Sequence, residues 1–455
     1  MRKRLDIPLF TDEIGKILDC DIPERMRGKA IRFITTDSRE ITKGDLFIGL
    51  KGKSYDGSDY LTEALERGAI PLVSVKSSEA IVCEDTEEAL LKIAALYKSK
   101  LKKLKCTVAI TGSVGKSTAK EFLKRILEKS FKVTATEGNY NNAIGSSMSV
   151  LSAHSSTEAL VLELGMNHKG EISRMAKHFR PDISVITNVG SSHIGNLGSR
   201  EAIAEAKLEI LDGGDGMLIY PKGEPLLSGR GGLCFSLTDP TADFYLTNQY
   251  EKISFFKGER WILDSSFHLK ERHLLSCLAP AIAVSLLIGV PVSAVVSAVD
   301  EISYLSIKQR FINIGNITVY SDLYNASAES LYAALEFVSK TVGYKKRSAL
   351  IGTVLELGEK SREIHRQIGK RAAGFGLSRL YLFGEGAPFM AEGALSEGYS
   401  PVRIFLTSDL TMHGKVAEDI YKNSEEGELI LFKGSRGMEL ERVIDRLTKK
   451  YESEK

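Results

Sequence analysis

Short apolar runs alternate with amphipathic stretches through the middle of the chain. Apolar runs at 106–111, 159–164 and 183–188 predict strands, and helix-spaced apolar residues within 117–130 and 170–178 predict helices between them. Strands that alternate with helices are typical of a mostly parallel sheet covered by helices on both faces. The pattern therefore predicts a central α/β domain.

Two further blocks flank this one. The first hundred residues mix β-like runs with Gly- and Asp-containing turns, and a strongly helical stretch over 87–105 ends the block. From 311 onward, strand-like and helix-like runs alternate again and close on a strand at 428–432, a Gly-rich turn and an amphipathic helix at 438–447. A length of 455 residues agrees with about three domains. We place them at 1–104, 105–310 and 311–455.

One segment tests whether the chain enters a membrane. Residues 274–299 carry no charge and are long enough to span a bilayer. Gly289-Val290-Pro291 interrupts them, and Gly followed by Pro ends one helix and starts another. Two short buried helices explain the segment better than the alternative, one spanning helix. The basic start at 1–10 lacks the apolar core of a signal peptide. We therefore expect no stable membrane insertion.

Composition narrows the setting. Lys and Arg (61) nearly balance Asp and Glu (59), so no basic surface for nucleic acid is expected. The 5 cysteines are scattered without a C-x-x-C pair, which indicates neither a zinc site nor a disulfide framework. Buried thiols in a reducing compartment, the cytoplasm, are the simpler interpretation.

The sharpest local motif is TGSVGKS at 111–117, placed after a strand and opening a helix. Its glycines let backbone N–H groups surround phosphate oxygens at a helix N-terminus. Lys116 would contact the β- and γ-phosphates and Ser117 a magnesium ion. Ile110 stands where the full phosphate-loop pattern has another glycine, so a plain strand–turn–helix remains an alternative. The candidate nucleotide ligands here are Gly112, Ser113, Gly115, Lys116, Ser117 and Thr118.

Two other polar residues follow predicted strands of the same sheet. Glu163 lies at the end of the run at 159–164, and His193 follows the run at 183–188. Ligands bind beyond the carboxyl ends of parallel strands, so both side chains should lie on the edge that carries Lys116. A carboxylate and an imidazole there could bind magnesium or manganese. The alternatives are a solvated strand end for Glu163 and an ordinary loop histidine for His193.

Lys207 lies on the apolar stripe of a predicted helix. Ser199 is a plausible N-cap, and the stripe runs Ile203, Lys207, Ile210, Leu211. Such a lysine either extends along the surface to reach water or has a function. A buried lysine with a lowered pKa could also be chemically modified.

Five motifs occur in one order: TGSVGKS (111–117), GNYNNAIG (138–145), ELGMNHKG (163–170), TNVGSSH (187–193) and AKLEI (206–210). Together they resemble the Mur ligases of peptidoglycan synthesis. Five further matches narrow the resemblance to the branch that adds D-alanyl-D-alanine to UDP-N-acetylmuramoyl-tripeptide: TDSR (36–39), GDLFIGLKGKSYDG (44–57), DLYNA (322–326), LELG (355–358) and KGSRGM (433–438). These matches span nearly the whole chain.

The resemblance implies a fold and a mechanism. A small N-terminal α/β domain would bind the UDP-sugar, a central phosphate-loop sheet would bind ATP and Mg²⁺, and a Rossmann-like C-terminal domain would close the site. The substrate carboxylate would attack the γ-phosphate to give an acyl phosphate, which the amine of D-alanyl-D-alanine then attacks. We expect a cytoplasmic enzyme that acts as a monomer.

The resemblance also assigns residues. Lys116, Lys207 and His193 would be catalytic, with Lys207 carbamylated, and the metal ligands would be Ser117, Glu163, His193 and Lys207. Arg310, Asp322 and Asn325 would reach the nucleotide from the third domain. The substrate-binding set would be Ser38, Arg39, Lys51, Gly52, Asp56, Gly57, Asn141, Asn142, Lys433, Ser435 and Arg436. Turns with solvated charges are the alternative for the first- and third-domain residues.

The chain departs from the family pattern after His273, where Leu274 and Cys277 replace two asparagines that help to hold adenine. A related ligase that joins another carboxylate and amine is therefore one alternative. A catalytically silent nucleotide-binding or scaffold protein is another, and the presence of all four metal-site residues argues against it.

Overall fold

The computed structural model describes residues 1–52, 55–190, 194–249, 252–266, 272–323 and 326–453, with the backbone alone at 272 and 303–310. Three sheets of five, nine and six strands follow one another along the chain. The prediction of a three-domain α/β fold is confirmed.

The first sheet is small and has an antiparallel edge. Its strand order is β1-β2-β3-β4-β5, with β1 antiparallel to β2 and the others parallel. Its elements are β1 (Arg2–Phe10), α1 (Thr11–Leu18), β2 (Ala30–Thr35), β3 (Leu46–Ile48), α2 (Leu61–Glu66), β4 (Ile70–Val73), β5 (Ile81–Val82) and α3 (Thr86–Ser99).

The central sheet has the order β14-β13-β12-β11-β10-β9-β6-β8-β7 and is parallel from β7 to β12. Its strands are β6 (Cys106–Thr111), β7 (Val133–Ala135), β8 (Ala159–Glu163), β9 (Ile183–Ile186), β10 (Met217–Pro221), β11 (Leu233–Ser236), β12 (Phe244–Gln249), β13 (Lys252–Lys257) and β14 (Arg260–Ser266). Its helices are α4 (Lys116–Leu127), α5 (Ala143–Leu151), α6 (Glu171–Phe179), α7 (Ile194–Leu197), α8 (Arg200–Leu208), α9 (Arg272–Leu287) and α10 (Val292–Arg310).

The third sheet has the order β15-β16-β20-β17-β18-β19, parallel except for β15 at the edge. Its elements are β15 (Phe311–Ile314), β16 (Ile317–Asp322), α11 (Ala328–Lys340), β17 (Lys346–Gly352), α12 (Ser361–Ala373), β18 (Leu380–Phe383), α13 (Ala387–Ser396), β19 (Ile404–Thr407), α14 (His413–Asn423), β20 (Glu428–Lys433) and α15 (Glu441–Ser453).

Alternation along the central strands builds two cores. Val108 and Ile110 of β6 pack in the core that contains α4, α9 and α10, whereas Ala109 faces the other core with α5, α6 and α8. Successive side chains of a strand point to opposite faces, so each buried strand supplies both layers. The second of these cores continues into the first domain, where Leu5, Leu90 and other side chains belong to the same cluster.

Several predicted boundaries differ from the structure. The helix predicted over 87–105 ends at Ser99, because the chain turns there and buries Leu101. The helix predicted from 438 begins at Glu441, because Glu439 has a left-handed backbone with φ of 46°. The charge-free segment forms α9 and α10, so the alternative of one spanning helix is wrong. In the parts of the chain that the structure describes, no helix has the length and apolar character needed to cross a bilayer.

Candidate active site

The phosphate loop lies where the strand order of the central sheet reverses. The chain runs from β6 to β7 and β8 on one side, and then continues through β9 on the other side of β6. Ligands of open α/β sheets bind at such a switch point, beyond the strand ends. The loop after β6 therefore has Glu163, at the end of β8, and Asn188, after β9, as neighbours from adjacent strands.

Asn188 holds the loop in shape. Its side-chain Oδ1 accepts hydrogen bonds from the backbone N–H groups of Ser113 (3.0 Å) and Val114 (2.9 Å). The Ser113 hydroxyl in turn accepts one from Gly190 N at 2.8 Å. Gly112 is required here, because an added Cβ would lie 1.9 Å from Thr187 Oγ1. The loop is thus built by the two motifs TGSVGKS and TNVGSSH together.

Lys116 opens helix α4, as the motif predicts. Its Nζ donates a hydrogen bond to Gly112 O at 2.8 Å, so the ammonium group lies over the loop. Burial lowers the pKa of Lys116, although the nearby carboxylates of Glu163 and Glu356 oppose the shift. Ser117 and Thr118 follow in the first turn of α4, both half-buried. This arrangement suits the phosphates of a nucleotide at a helix N-terminus.

Glu163 is 1% exposed, so the alternative of a solvated strand end is wrong. Its Oε1 accepts a hydrogen bond from Asn141 Nδ2 at 2.9 Å. Its Oε2 is buried without a hydrogen-bond partner and lies 3.9 Å from Lys120 Nζ. Asn142, predicted together with Asn141 as a substrate ligand, caps α5 by accepting a hydrogen bond from Gly145 N at 2.8 Å.

Lys207 is 1% exposed, so the alternative of a lysine that extends to the surface is also wrong. Ser199 caps its helix by accepting a hydrogen bond from Ala202 N at 3.1 Å, as predicted. Burial, followed by the charge of Lys116, holds the pKa of Lys207 well below its ordinary value. A lowered pKa increases the fraction of neutral amine, which is the form that reacts with an electrophile such as CO₂.

These residues fit a divalent cation. Buried carboxylate oxygen without a partner is the donor type that magnesium prefers, and Glu163 Oε2 supplies one. Predicted ligand His193 lies outside the described residues. Within the described ranges, no three His, Cys, Asp or Glu side chains are grouped to hold a metal ion. Glu163 and Ser117 therefore need further ligands to hold a metal ion, and His193 or a chemically modified Lys207 would supply them.

The third domain presents its predicted residues at neighbouring strand ends. Asp322 and Lys433 are paired across β16 and β20, and Lys433 Nζ donates a hydrogen bond to Asp322 Oδ2 at 2.8 Å. Ser435 Oγ accepts one from Leu355 N at 3.0 Å. Arg436 is exposed and pairs with Glu441 at 2.7 Å. Asn325 lies outside the described residues, as does the side chain of Arg310.

Four of the predicted first-domain residues lie in one region. A cleft of roughly 470 Å³ is lined by Ser38, Arg39 and Gly57, together with Tyr55, Tyr60 and other residues. Asp56 caps the turn that follows it by accepting a hydrogen bond from Ser58 N at 2.9 Å.

The other two predicted first-domain residues are Lys51 and Gly52. Lys51 is exposed and lies 4.0 Å from Asp56, outside the cleft lining. Gly52 is likewise outside that lining, and its backbone N–H bonds to Tyr55 O at 2.9 Å. Arg39 binds Asp37 through two hydrogen bonds of 2.8 and 2.7 Å, which holds the Asp37 pKa well below its usual range.

Sequence reasoning missed Lys120. It is 1% exposed, and its Nζ donates hydrogen bonds to Thr136 O at 2.6 Å and Gly138 O at 3.2 Å. The inward-stripe argument that identified Lys207 would have found it, because Lys120 precedes Leu123 by three positions and Leu127 by seven. Lys120 thus ties the loop before Asn141 to the phosphate-loop helix.

The sequence marks Cys277 only as a buried thiol and as a departure from the family pattern. The structure buries it on α9, directly beneath the phosphate loop, where its Sγ donates to Gly115 O at 3.5 Å. A Cβ on Gly115 would lie 2.6 Å from this sulfur. The residue that replaces a family asparagine therefore supports the loop from below.

Fold and site together define a nucleotide-binding α/β protein whose phosphate loop lies beneath a third domain. Three family models match in order: the Mur ligase family, catalytic domain, over 30–98, the Mur ligase middle domain over 110–228, and the Mur ligase, glutamate ligase domain, over 309–436.

Whole-length relatives agree. The UDP-N-acetylmuramoyl-tripeptide–D-alanyl-D-alanine ligase of Bacillus subtilis (strain 168) is 32% identical over 433 residues, covering 91% of this chain and 92% of that protein. The ligase of the same name from Rickettsia prowazekii (strain Madrid E) is 30% identical over 447 residues, covering 90% and 93%.

Among solved structures, MurF from Acinetobacter baumannii has a TM-score of 0.85 at 25% identity, covering 98% of this chain and 100% of that one. The MurF ligase from Thermotoga maritima in complex with ADP has a TM-score of 0.80 at 27% identity, covering 93% and 98%. The chain belongs to the Mur ligase family, as its motifs predicted. It is an ATP-dependent ligase.

Proposed function

We propose that this enzyme adds D-alanyl-D-alanine to UDP-N-acetylmuramoyl-tripeptide in the cytoplasm, in peptidoglycan precursor synthesis, as a monomer. The observation that supports this most directly is the half-buried Lys116 on the phosphate loop together with the buried Glu163 and Lys207. The chain is also similar to ligases of that name over 90% or more of its length. An amide bond forms at the expense of ATP, which becomes ADP and phosphate.

The reaction divides into two displacements. A carboxylate oxygen of the tripeptide attacks the γ-phosphorus, and the bond from that phosphorus to ADP breaks. The dipeptide amine then attacks the acyl carbon, loses a proton and expels phosphate. Both reactants of the first step are anions, so Lys116 and the N-terminus of α4 are placed to stabilise the charge that develops on phosphate.

Mg²⁺ would be held by Ser117, Glu163, His193 and a carbamylated Lys207, and it would supply positive charge to the phosphates. The orphaned Glu163 Oε2 and the lowered pKa of Lys207 support this assignment. Asn141 orients Glu163 by donating to its other oxygen, and Lys120 Nζ lies 3.9 Å from Oε2 of the same carboxylate.

The remaining substrate contacts follow the three domains. The cleft beside Ser38, Arg39 and Gly57 would bind the uridine diphosphate part, where Tyr55 and Tyr60 offer aromatic faces. The borders near 104 and 310 belong to this proposal too, and the sheets fall on either side of them. Lys433 and Ser435 would face the dipeptide, and Arg310, Asp322 and Asn325 the nucleotide.

Phosphate release with ATP, UDP-N-acetylmuramoyl-tripeptide and D-alanyl-D-alanine tests the whole proposal. Release that needs all three supports it. Release that proceeds equally with other amines or other acceptors would assign the chain to a related ligase. No release under any combination would exclude a ligase altogether.

Lys207→Ala tests the modified lysine. We expect activity to fall by at least about 10³-fold, because an anionic ligand and the metal charge that it holds are both lost. Added bicarbonate should not restore the variant, whereas a short-chain carboxylic acid that fits the cavity should restore part of the activity. Turnover equal to that of the unaltered enzyme would exclude the carbamate role.

A further inference from the structure

Lys120, on the buried face of α4, is a charged residue that neither step of the proposed reaction uses. It is 1% exposed, and so is Glu163, whose Oε2 lies 3.9 Å from Lys120 Nζ. Burying two charges together costs more free energy than their attraction returns, unless further hydrogen bonds satisfy both groups. A lysine is therefore stable at this position only if its other contacts compensate for its burial.

The ammonium group of Lys120 bonds to backbone carbonyl groups and not to the carboxylate. Its Nζ donates to Thr136 O at 2.6 Å and to Gly138 O at 3.2 Å. The half-exposed Glu121 brings a carboxylate oxygen to 3.3 Å. The 3.9 Å to Glu163 Oε2 is too long for a hydrogen bond. Lys120 thus comes close to this carboxylate and leaves its Oε2 without a hydrogen-bond partner.

The backbone segment that Lys120 holds is also the segment that orients Glu163. At the start of the segment, Thr136 Oγ accepts a hydrogen bond from Glu163 N at 3.0 Å. At its end, Asn141 Nδ2 donates to Glu163 Oε1 at 2.9 Å. Residues 136–141 therefore bind both the main chain and one carboxylate oxygen of Glu163, while Lys120 ties them to α4.

Asn141 has little freedom to move by itself. Its backbone O accepts a hydrogen bond from Gly165 N at 2.8 Å, and a Cβ on Gly165 would lie 2.7 Å from Asn141 Cγ. The two proposed metal ligands Ser117 and Glu163 come from different elements, α4 and β8. Lys120 lies one turn after Ser117 on α4, so its hydrogen bonds fix these two ligands relative to each other.

We propose that Lys120 is a positioning residue for the divalent cation, because it fixes Glu163 against the phosphate-loop helix with Oε2 left free. This inference rests on the metal site of the proposed function and adds the residue that assembles it. Two effects of Lys120 oppose each other. Its positive charge disfavours a second cation nearby, since like charges repel, whereas its hydrogen bonds hold the metal ligand in place. The positioning effect is the larger one.

Lys120→Met removes the charge and the hydrogen-bond donors together. We expect Mn²⁺, used as the probe in the presence of ADP, to bind about 10- to 100-fold more weakly, the usual range for loss of a group that supports a metal ligand. The electron paramagnetic resonance signal of enzyme-bound Mn²⁺ measures the affinity. Lys124→Met is the matched control, because Lys124 lies one turn further along α4 and pairs with Glu128 at 3.8 Å. It should leave the affinity unchanged.

Lys120→Gln is a second, milder variant, since it keeps an N–H donor for the carbonyl groups but has no charge. Its affinity for Mn²⁺ should lie between those of K120M and the unaltered enzyme. If charge repulsion were the larger effect, both variants would bind Mn²⁺ more tightly than the unaltered enzyme. Tighter binding, unchanged binding, or an equal loss in Lys124→Met would each overturn the inference.

The dependence of turnover on Mg²⁺ separates positioning from general damage to the fold. In K120M, the Mg²⁺ concentration that gives half-maximal phosphate release should rise by the same factor as the Mn²⁺ dissociation constant, and excess Mg²⁺ should restore the rate. A rate that stays low at every Mg²⁺ concentration would contradict the positioning role. Urea unfolding followed by tryptophan fluorescence verifies that each variant is folded. Absence of bound Mn²⁺ in the unaltered enzyme would instead overturn the metal site of the proposed function.

Discussion

The central domain meets its two neighbours in different ways. Against the first domain it shares one apolar core, and Tyr97 of α3 is fully buried there. The Tyr97 hydroxyl donates to Ala153 O at 2.6 Å and accepts from Asp6 N at 3.1 Å. Arg174 adds hydrogen bonds of 2.7 Å to each of three carboxylates of the first domain, those of Asp85, Glu87 and Glu88.

Among the described residues, the close contacts between the central and third domains are made by glycine backbone and by polar side chains. Gly195 of α7 meets Gly358, and Lys360 Nζ reaches Gly198 O at a long 3.5 Å. Glu329 of α11 lies beside Gly190 at the phosphate loop, 3.4 Å from where a Cβ would stand. These described contacts bury no shared apolar cluster of the kind that joins the first two domains.

The difference indicates which of the two domain interfaces opens and closes. A shared apolar core separates only at the cost of exposing it, so the first two domains should behave as one body. Narrow polar contacts separate easily, and closure over a reaction site that draws groups from two domains is a common step in turnover. The interface of the first and central domains should therefore govern stability, and the interface of the central and third domains should govern catalysis.

Tyr97→Ala is the most severe test of the interface between the first and central domains. We expect the free energy of unfolding to fall by about 3–5 kcal/mol, because a large buried ring is lost and a cavity remains. Trp261, the single tryptophan, lies on β14 of the central domain and can report the transition in urea. Tyr97→Phe, which loses only the hydroxyl, should cost about 1–2 kcal/mol. An unchanged midpoint for the alanine variant would mean that the two domains do not share a core.

Gly195→Ala should instead lower catalysis and leave stability unchanged. The added methyl group would lie 2.8 Å from Gly358 N, so the third domain cannot close fully. We expect kcat to fall about 10²-fold, the loss typical of misplacing reacting groups by about 1 Å. The urea midpoint of Trp261 should stay the same. Asn196→Ala, at the next, exposed position, is the control and should retain activity; equal losses in both variants would contradict the closure argument.

Arg174→Met should have the smallest effect, about 1–2 kcal/mol at pH 7, because the ion pairs are partly exposed. Burial raises the pKa of Glu88, but hydrogen bonds from Arg174 and His178 outweigh it and leave the pKa lowered. A lowered carboxyl pKa stabilises the fold at neutral pH, and that stability is lost as pH falls.

The difference between Arg174→Met and the unaltered enzyme should therefore shrink below about pH 4.3, the ordinary value for glutamate. Unfolding in urea at pH 7 and at pH 4 measures it. Lys177→Met, at an exposed position of the same helix, should show no such dependence. A difference that grew on acidification would contradict the assignment of these ion pairs.

The sequence predicts the parallel parts of the fold well, because buried parallel strands are continuous apolar runs such as 106–111. It predicts the antiparallel parts poorly. Buried and exposed residues are mixed along β1 at 2–10 and along β12, β13 and β14, which form antiparallel hairpins. No continuous run of apolar residues therefore marks these strands in the sequence. The predicted ends of helices are wrong where a single left-handed residue sets the end, as Glu439 does.

The candidate site follows the same division. Glu163 and Lys207 are found because a strand end and an inward stripe are one-dimensional signals, and both are buried beside the phosphate loop. Cys277 belongs to the site through a contact between a helix and the phosphate loop. The pattern along the chain does not contain such distances, so the sequence marks Cys277 only as a buried thiol and a departure from the family pattern.

The shared core has a consequence for how the polypeptide folds as the ribosome makes it. The apolar cluster to which the first-domain side chains belong also contains Leu218 and Leu227, so this core is complete only after the chain has been made as far as residue 227. A fragment that stops at residue 104 should therefore aggregate. Residues 311–453 enclose both of their own cores and should fold alone when expressed separately.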